Sequence, residues 1–363
     1  MKETTNENAA SPRRHRVPEA RPTEATGSTA TAAHSLVAAR SPHSTRAPRE
    51  PFSQGSFKTL FHEDWWLAGA TGSDYEEVTV HSGPTGGTLP FVVRKRRGFT
   101  ELRMPPFTHV LGPLVTSNSG KYQTKLQRRL STIRELIKKL PKHDYFKQSL
   151  DSHTIDALAF QEHGFRIHPH YTFEIDCSLS LDEAWKSMNF KVRQHIRRAE
   201  ERFRILPITD CDHFKHFYLR NMLARGLKNR IDFRNFSNLY GETQKYDAGI
   251  ILGACWPNGR PAAMVFLVWG HGKLYYLMST RASDAGDNGS VNLLIWSAIQ
   301  HARQRGLTLD LDGVITSGTA RFLNGFGGRP KARLIVERSA LAYGAIQDIR
   351  AWFNKSRRYD TFT

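Results

Sequence analysis

Between Leu274 and Gly328 the chain carries several groups able to do chemistry. In order they are adjacent Tyr275 and Tyr276, a Gly-containing turn from Arg281 to Ser290, Asp310 and Asp312, and Arg321 ahead of a Gly-rich close. The turn reads RASDAGDNGS and leads into VNLLIWSAIQHARQRG, an amphipathic helix. A helix opening behind such a turn presents free backbone N–H groups and the positive end of its dipole, a seat for phosphate. Asp284 and Asp287 would repel a phosphate if they pointed inward, and a plain solvent turn capped by Ser290 is the alternative. Two acids at a strand end can orient or deprotonate an amine, or cap the next turn and pair with surplus arginine. A tyrosine can protonate a leaving group, and strand alternation sets Tyr275 and Tyr276 on opposite faces, Tyr276 with Leu274 and Met278, Tyr275 with Leu277 and Ser279.

The elements that must hold these groups are legible from periodicity. Ile250–Cys255, Ala262–Trp269 and Leu274–Thr280 are apolar runs separated by turns, and Asn258-Gly259 is a strong hairpin signal. Val291, Leu294, Ile295, Ala298, Ile299 and Ala302 line one face of the following helix, and Leu307–Leu311 is a strand. The first half has the same plan. Strands at Glu77–Val80, Leu89–Arg94 and Phe99–Met104 form a meander, a Pro-punctuated loop MPPFTHVLGPL follows, and a helix through Leu126, Leu130, Ile133, Ile137 and Leu140 stops at Pro141. Between the halves, Ser180 and Glu183 have capping-box spacing, and helical periodicity from Leu181 to Phe203 predicts one continuous helix. Arg193 and Arg197, one turn apart on it, form a guanidinium pair that can hold phosphate or carboxylate, or a solvated face paired with Glu200 and Glu201.

Composition narrows the class of protein. The 363 residues are 39% hydrophobic and 11% aromatic, enough for a packed core, and 52 Lys+Arg against 34 Asp+Glu leave +18, which favours an anionic partner. Residues 1–55 contain hardly a large apolar side chain and read as a disordered leader. Five acids among its eight basic residues argue against a nucleic-acid tail or a transit peptide. Three scattered cysteines, Cys177, Cys211 and Cys255, point to a reducing compartment. No apolar run approaches the roughly 18 residues that span a bilayer, and a cytoplasmic location is expected. His163, His168 and His170 lack an acid or cysteine at metal-ligand spacing, so no metal is expected. Walker, dinucleotide, Ser-His-Asp and RNP-type patterns are missing.

The order strand, Gly-containing turn, helix, strand ending LDLDG and close ARFLNGFGG resembles the acyl-CoA core of GNAT-type transferases, in the variant shared with FemAB-like aminoacyltransferases and cellulose-biosynthesis-type acetyltransferases. The resemblance implies an α/β fold of tandem GNAT-like units, each a mixed, mostly antiparallel sheet flanked by helices. The units would span 56–175 and 176–345, with a basic tail over 346–363. It implies an N-acyltransferase moving an acyl group from acetyl-CoA or another acyl-CoA to an amine acceptor, with a place in polysaccharide or cell-envelope synthesis. Donor contacts would come from Ser279, Arg281, Gly286, Gly289, Ser290 and Asn292. Acceptor contacts would come from Arg193, Arg197 and Arg321, and catalysis from Asp312 with Tyr275 or Tyr276. The alternatives are a FemAB-type enzyme drawing on aminoacyl-tRNA for a cell-wall precursor, and a non-catalytic GNAT-like scaffold binding an anionic partner.

Overall fold

A computed structural model describes residues 58–345, apart from 83–84, 118–119, 152–155, 177–179, 230, 287–288 and 314–315. The leader and basic tail expected from the sequence lie outside the described residues. The first half runs α1 (Asp64–Thr71), β1 (Glu76–Ser82), β2 (Thr85–Arg96), β3 (Phe99–Arg103), β4 (Leu114–Ser117), α2 (Tyr122–Lys139), β5 (Tyr145–Leu150), α3 (Ala157–Glu162) and β6 (Arg166–Ile175). The junction holds α4 (Leu181–Ser187), α5 (Phe190–Arg202), β7 (Arg204–Pro207), α6 (Cys211–Ala224) and α7 (Phe236–Lys245). The second half repeats the meander–helix–strand–helix–strand order as β8 (Gly249–Cys255), β9 (Pro261–Gly270), β10 (Lys273–Arg281), α8 (Ser290–Gln304), β11 (Thr308–Gly313), α9 (Ser317–Asn324) and β12 (Arg329–Ser339).

The repeat extends to turn chemistry. Arg97-Gly98 joins β2 to β3 and His271-Gly272 joins β9 to β10, and all four residues have positive φ (53°, 80°, 50° and 80°). That is the signature of a two-residue type I′ hairpin, whose twist matches that of the strands it links.

All strands join in one sheet of order β1-β2-β3-β5-β12-β6-β11-β10-β9-β8-β7, with β4 added to β2. The halves exchange their last strands. β6, which ends the first half, pairs with β11 of the second, while β12, which ends the second, pairs with β5 of the first. The two exchanged strands pair with each other along nine register positions, from Arg329↔Glu174 to Glu337↔Arg166.

β9 is buried nearly end to end because helices cover both sides of the sheet, and its side chains divide alternately between two cores. Leu267 and Val265 join the core beneath α5 and α8; Phe266 and Val268 join the one beneath α1, α6 and α7. A third core lies under α2.

The helix expected over Leu181–Phe203 is in fact two. The Ser180–Glu183 capping box forms as read, with Glu183 N–H on Ser180 Oγ at 3.2 Å and Ser180 N–H on Glu183 Oε2 at 2.8 Å. The chain then breaks at Met188-Asn189, where Asn189 N–H bonds the Gly325 carbonyl (2.8 Å) and Asn189 Oδ1 caps α5 through Lys191 N–H (2.9 Å). Apolar periodicity continues through such a break, so it cannot report it.

His62, just before α1, is buried in neutral form. Thr59 N–H donates to Nδ1 at 3.2 Å, so Nε2 carries the proton and faces the Gly112 carbonyl oxygen at 3.2 Å. Burial pushes its pKa down from 6.5 to about 4, outweighing the opposing hydrogen bond to Gly112. Between those pH values the unfolded chain binds a proton that the fold refuses, so this group's contribution falls as pH drops. The loss is about 3 kcal/mol across that window. Urea unfolding from pH 7 to pH 4 should show it, and His62→Gln should flatten the slope; an unchanged slope in the variant would remove His62 as its source.

Candidate active site

β10 and β11 are parallel neighbours for a short distance only. They pair at Lys273↔Thr308, Leu274↔Leu309 and Tyr275↔Asp310, then part. On its other side β10 shifts register against β9 between Tyr276 and Met278, a bulge with Leu277 as the extra residue. The bulge corrects the alternation read from sequence. Tyr276 stays with Leu274 beneath α5 and α8, whereas Leu277 and Met278 both join Tyr275 in the opposite core.

At the parting point an imidazole spans the two strands. His109 Nε2 lies 3.0 Å from the Leu277 carbonyl oxygen, and Nδ1 lies 3.2 Å from Asp312 Oδ1 without hydrogen-bond alignment. A carbonyl only accepts, so Nε2 carries hydrogen and Nδ1 is where a proton can be gained or lost. The ring is held between Phe61, at 5.9 Å, and Tyr275, at 6.5 Å between centroids.

Asp312 has a left-handed backbone (φ 64°). Its N–H bonds Asp310 Oδ1 at 3.0 Å, a local turn that frees it from the ladder where β11 shifts register on β6. The two acids therefore differ in setting, although strand alternation predicts equivalent ones. Asp310 is 1% exposed and the Asp312 side chain 38%. Both are tied to Arg333 of β12, whose Nη2 donates to Asp310 Oδ2 at 2.6 Å and Nη1 to Asp312 Oδ1 at 2.9 Å.

Thr172 Oγ on β6 lies 2.6 Å from Asp310 Oδ1 and 2.8 Å from the Asp312 carbonyl. Lys273, opening β10, donates to Glu174 at 2.8 Å and Asp151 at 3.2 Å. Burial alone would raise the pKa of Asp310, but Arg333 and Lys273 outweigh it and hold the carboxyl below its usual range. The acids beside Lys273 and Arg333 likewise hold both cations above their usual values against burial.

The remaining sequence candidates fall elsewhere. Both tyrosines are buried. The Tyr275 phenol is raised well above its usual value by burial, and that of Tyr276 is pushed up to about 12 by burial, with Ser279 pulling slightly the other way. In the turn, Asp284 is paired with Arg260 at 2.9 Å, Arg225 bonds the Arg281 carbonyl, and Gly286 is exposed. Ser290 and Asn292, in the first turn of α8, are buried. Gly289 (φ 77°) lies so close to α5 that a Cβ there would stand 2.7 Å from the His195 carbonyl oxygen. That helix start faces α5 instead of opening to solvent.

Arg193 Nη1 donates to the carbonyls of Trp185 (3.4 Å) and Lys186 (3.2 Å) at the end of α4. Arg197 lies over the Trp185 ring at 5.6 Å, and Arg321 is exposed on α9. None of these three arginines is among the residues that contact Asp312. Of the residues that do, the sequence reading missed His109 and Arg333, along with the neighbouring Thr172 and Lys273. A charged residue inside a strand pattern was the available signal for two of the partners: Glu174 and Asp310 each interrupt an apolar run and must find partners once buried, whereas Arg333 follows Arg329 and Lys331 and carries no such mark.

Comparisons with known proteins bear on the fold that holds these residues. Residues 187–314, from the end of α4 past Asp312, match the acetyltransferase (GNAT) domain family. No curated protein matches the chain. Among solved structures, FemX is 14% identical and aligns over 76% of this chain and 91% of its own, with a TM-score of 0.58. The C-terminal domain of a proposed lysylphosphatidylglycerol synthetase from Agrobacterium fabrum is 12% identical over 80% and 93% of the two chains, with a TM-score of 0.51. At such identities the likeness is one of fold. Among the described residues no helix is long and apolar enough to cross a membrane.

Removing Arg333 would strand a buried carboxylate. Arg333→Leu is expected to lower stability by about 3–5 kcal/mol in denaturant titration. Adding Asp310→Leu to it should recover a large part of that loss; no recovery would mean that the two groups are not energetically coupled.

Proposed function

We propose that this chain, with a GNAT-domain match over 187–314 and a FemX-like fold, is a GNAT-type transferase that moves an acyl group from acyl-CoA to an amine at the parting of β10 and β11. The observation that carries the reading is the His109 ring lying between the Leu277 carbonyl and Asp312 where the two strands separate. Acetyl-CoA is the simplest donor, and the acceptor is an amine-bearing precursor of a polysaccharide or of the cell envelope. Among the described residues β10 has no strand partner on its β11 side beyond Tyr275, and His109 takes the Leu277 carbonyl there; the backbone groups left without a strand would receive a donor's amide-bearing arm. Backbone amides of the 275–280 segment would meet the oxyanion as the amine nitrogen attacks the thioester carbon. The turn from Arg281 to Gly286 would carry the donor's far end.

The new N–C bond forms as the C–S bond breaks, and two protons must move. The attacking amine loses one toward Asp312, whose Oδ1 is held by Arg333 and whose Oδ2 has no hydrogen-bond partner among the described residues. His109 Nδ1, beside that carboxylate, shares the proton before it passes to water. The departing thiolate would take the other from Tyr276, whose pKa burial pushes up to about 12, and water returns a proton to the phenolate to close the cycle. Asp312→Asn should lower turnover by about 10²–10⁴-fold with little change in donor binding, as for a positioned acid or base. Equal loss of donor binding would make Asp312 a binding residue instead.

A second reading is favoured by the burial of the α8 start against α5, which removes a ready phosphate seat. On that reading the donor is aminoacyl-tRNA and the surplus positive charge serves the RNA. Thermal melting of the full chain separates them. Acetyl-CoA at 100 times its dissociation constant should stabilise the fold by about 2.7 kcal/mol, a rise of several degrees. A rise with aminoacyl-tRNA and none with any acyl-CoA would transfer the assignment; indifference to both would leave a non-catalytic scaffold.

A further inference from the structure

A cleft of about 1090 Å³ lies apart from the His109–Asp312 pair and is lined in part by arginine. One wall is the end of β2, from Val92 to Arg96, with Arg103 on β3; the other is the connection between α6 and α7, with Asn229, Asp232 and Arg234. β1 pairs with β2 only as far as Phe91, so from Val92 onward that edge of β2 is free of β1.

The cleft's charges are unequally committed. Arg103 is bound to Glu101 at 2.6 Å and lies over the Tyr145 ring at 4.5 Å. Arg234 is paired with Asp232 at 2.6 Å. Arg94 and Arg96 are exposed, and among the described residues neither has a carboxylate within ion-pair distance. Two residues apart on one strand, they share a face with their Cα atoms about 7 Å apart. That spacing suits an anion with charge at both ends better than a single carboxylate, and a planar guanidinium binds phosphate oxygens in a fork.

The cleft also has a covalent path to the reaction site. Met104, Pro106 and Phe107 contribute to its lining, and two residues further along the same loop His109 reaches Leu277 and Asp312. On the other wall, Arg225 ties the segment after α6 to the Arg281 carbonyl at the end of β10. A molecule anchored in the cleft thus lies along the loop that ends at the proposed proton acceptor.

We propose that Arg94 and Arg96 bind a pyrophosphate or similarly dianionic phosphate group of the acceptor, leaving its amine to extend along the 104–109 loop toward Asp312. The word acceptor rests on the acyl-transfer reading; the anion site does not. The phosphate belongs either to a soluble molecule or to a lipid headgroup, and the chemistry at the arginines is the same.

Calorimetric titration of the full chain with inorganic pyrophosphate at low ionic strength, and sedimentation with phosphatidylglycerol vesicles, test the site. Arg94→Ser/Arg96→Ser should weaken one of these interactions at least tenfold. Loss of pyrophosphate binding identifies a soluble source, and loss of vesicle binding alone a lipid one. Asp232→Asn, which removes the opposing charge, should tighten binding of the same probe several-fold, and it keeps the test open if the double variant folds poorly. Unchanged binding in the arginine variant, no binding of either probe by the parent chain, or unchanged or weaker binding in Asp232→Asn would overturn the proposal. So would loss of the acetyl-CoA melting shift in the arginine variant, since the cleft would then hold the donor's phosphates. Arginine-dependent binding in a chain that ignores every acyl-CoA would leave the anion site standing and the acyl-CoA reading refuted.

Discussion

Arg333 sits on β12 and grips two carboxylates on β11, with β6 lying between the two strands. Burying a guanidinium and a carboxylate carries a desolvation penalty of several kcal/mol per ion, which geometry and further hydrogen bonds must offset. Here Thr172 of β6 supplies a hydroxyl beside Asp310, and Lys273 is met by Glu174 and Asp151. The arrangement requires the strand exchange. Were β6 and β12 each to close on its own half, β6 would no longer bring Thr172 and Glu174 to β11, and the separation between Arg333 and Asp310 would change. The charge cluster and the topology therefore specify each other, since a chain that misplaced either strand would leave buried charge unpaired.

The same constraint shapes the chemistry. Asp310 is given up entirely to structure, and in turn it bends the backbone at Asp312 so that the second acid faces outward with one oxygen held. His109 arrives from a loop in the first half and meets β10 and β11 of the second. The proposed site is therefore complete only when both halves are folded together. The bulge at Leu277 plays a complementary part. It brings Met278 onto the Tyr275 side, where alternation already sets Leu277, while leaving Tyr276 beneath α8, so one strand serves two different cores over four residues.

Most of the scaffold was legible in the sequence by itself. The meanders, the amphipathic helices at 122–139 and 290–304, the capping box and the Asn258-Gly259 hairpin follow from local rules, and each is present. The repeated element order follows from the same rules, and the α/β class is what the family resemblance implied. What escaped were features in which one residue departs from its neighbours' pattern: the break at Asn189, the bulge at Leu277 and the left-handed Asp312. Periodicity averages over a window, and a single-residue irregularity changes the average very little.

The site divides along the same line. Local spacing put forward the acids at the end of β11 and the turn after β10, and the family resemblance set Asp312 ahead of Asp310. Only the tertiary structure could join His109 to Asp312 across 203 positions, or Arg333 to Asp310 across a strand exchange. It also turned the first helical turn of α8 toward α5, where the local pattern alone suggests an open phosphate seat. Local rules act through the backbone of adjacent residues and are written in order along the chain. Pairing of buried charges acts through space, and its partners are decided by whichever strands the fold brings side by side.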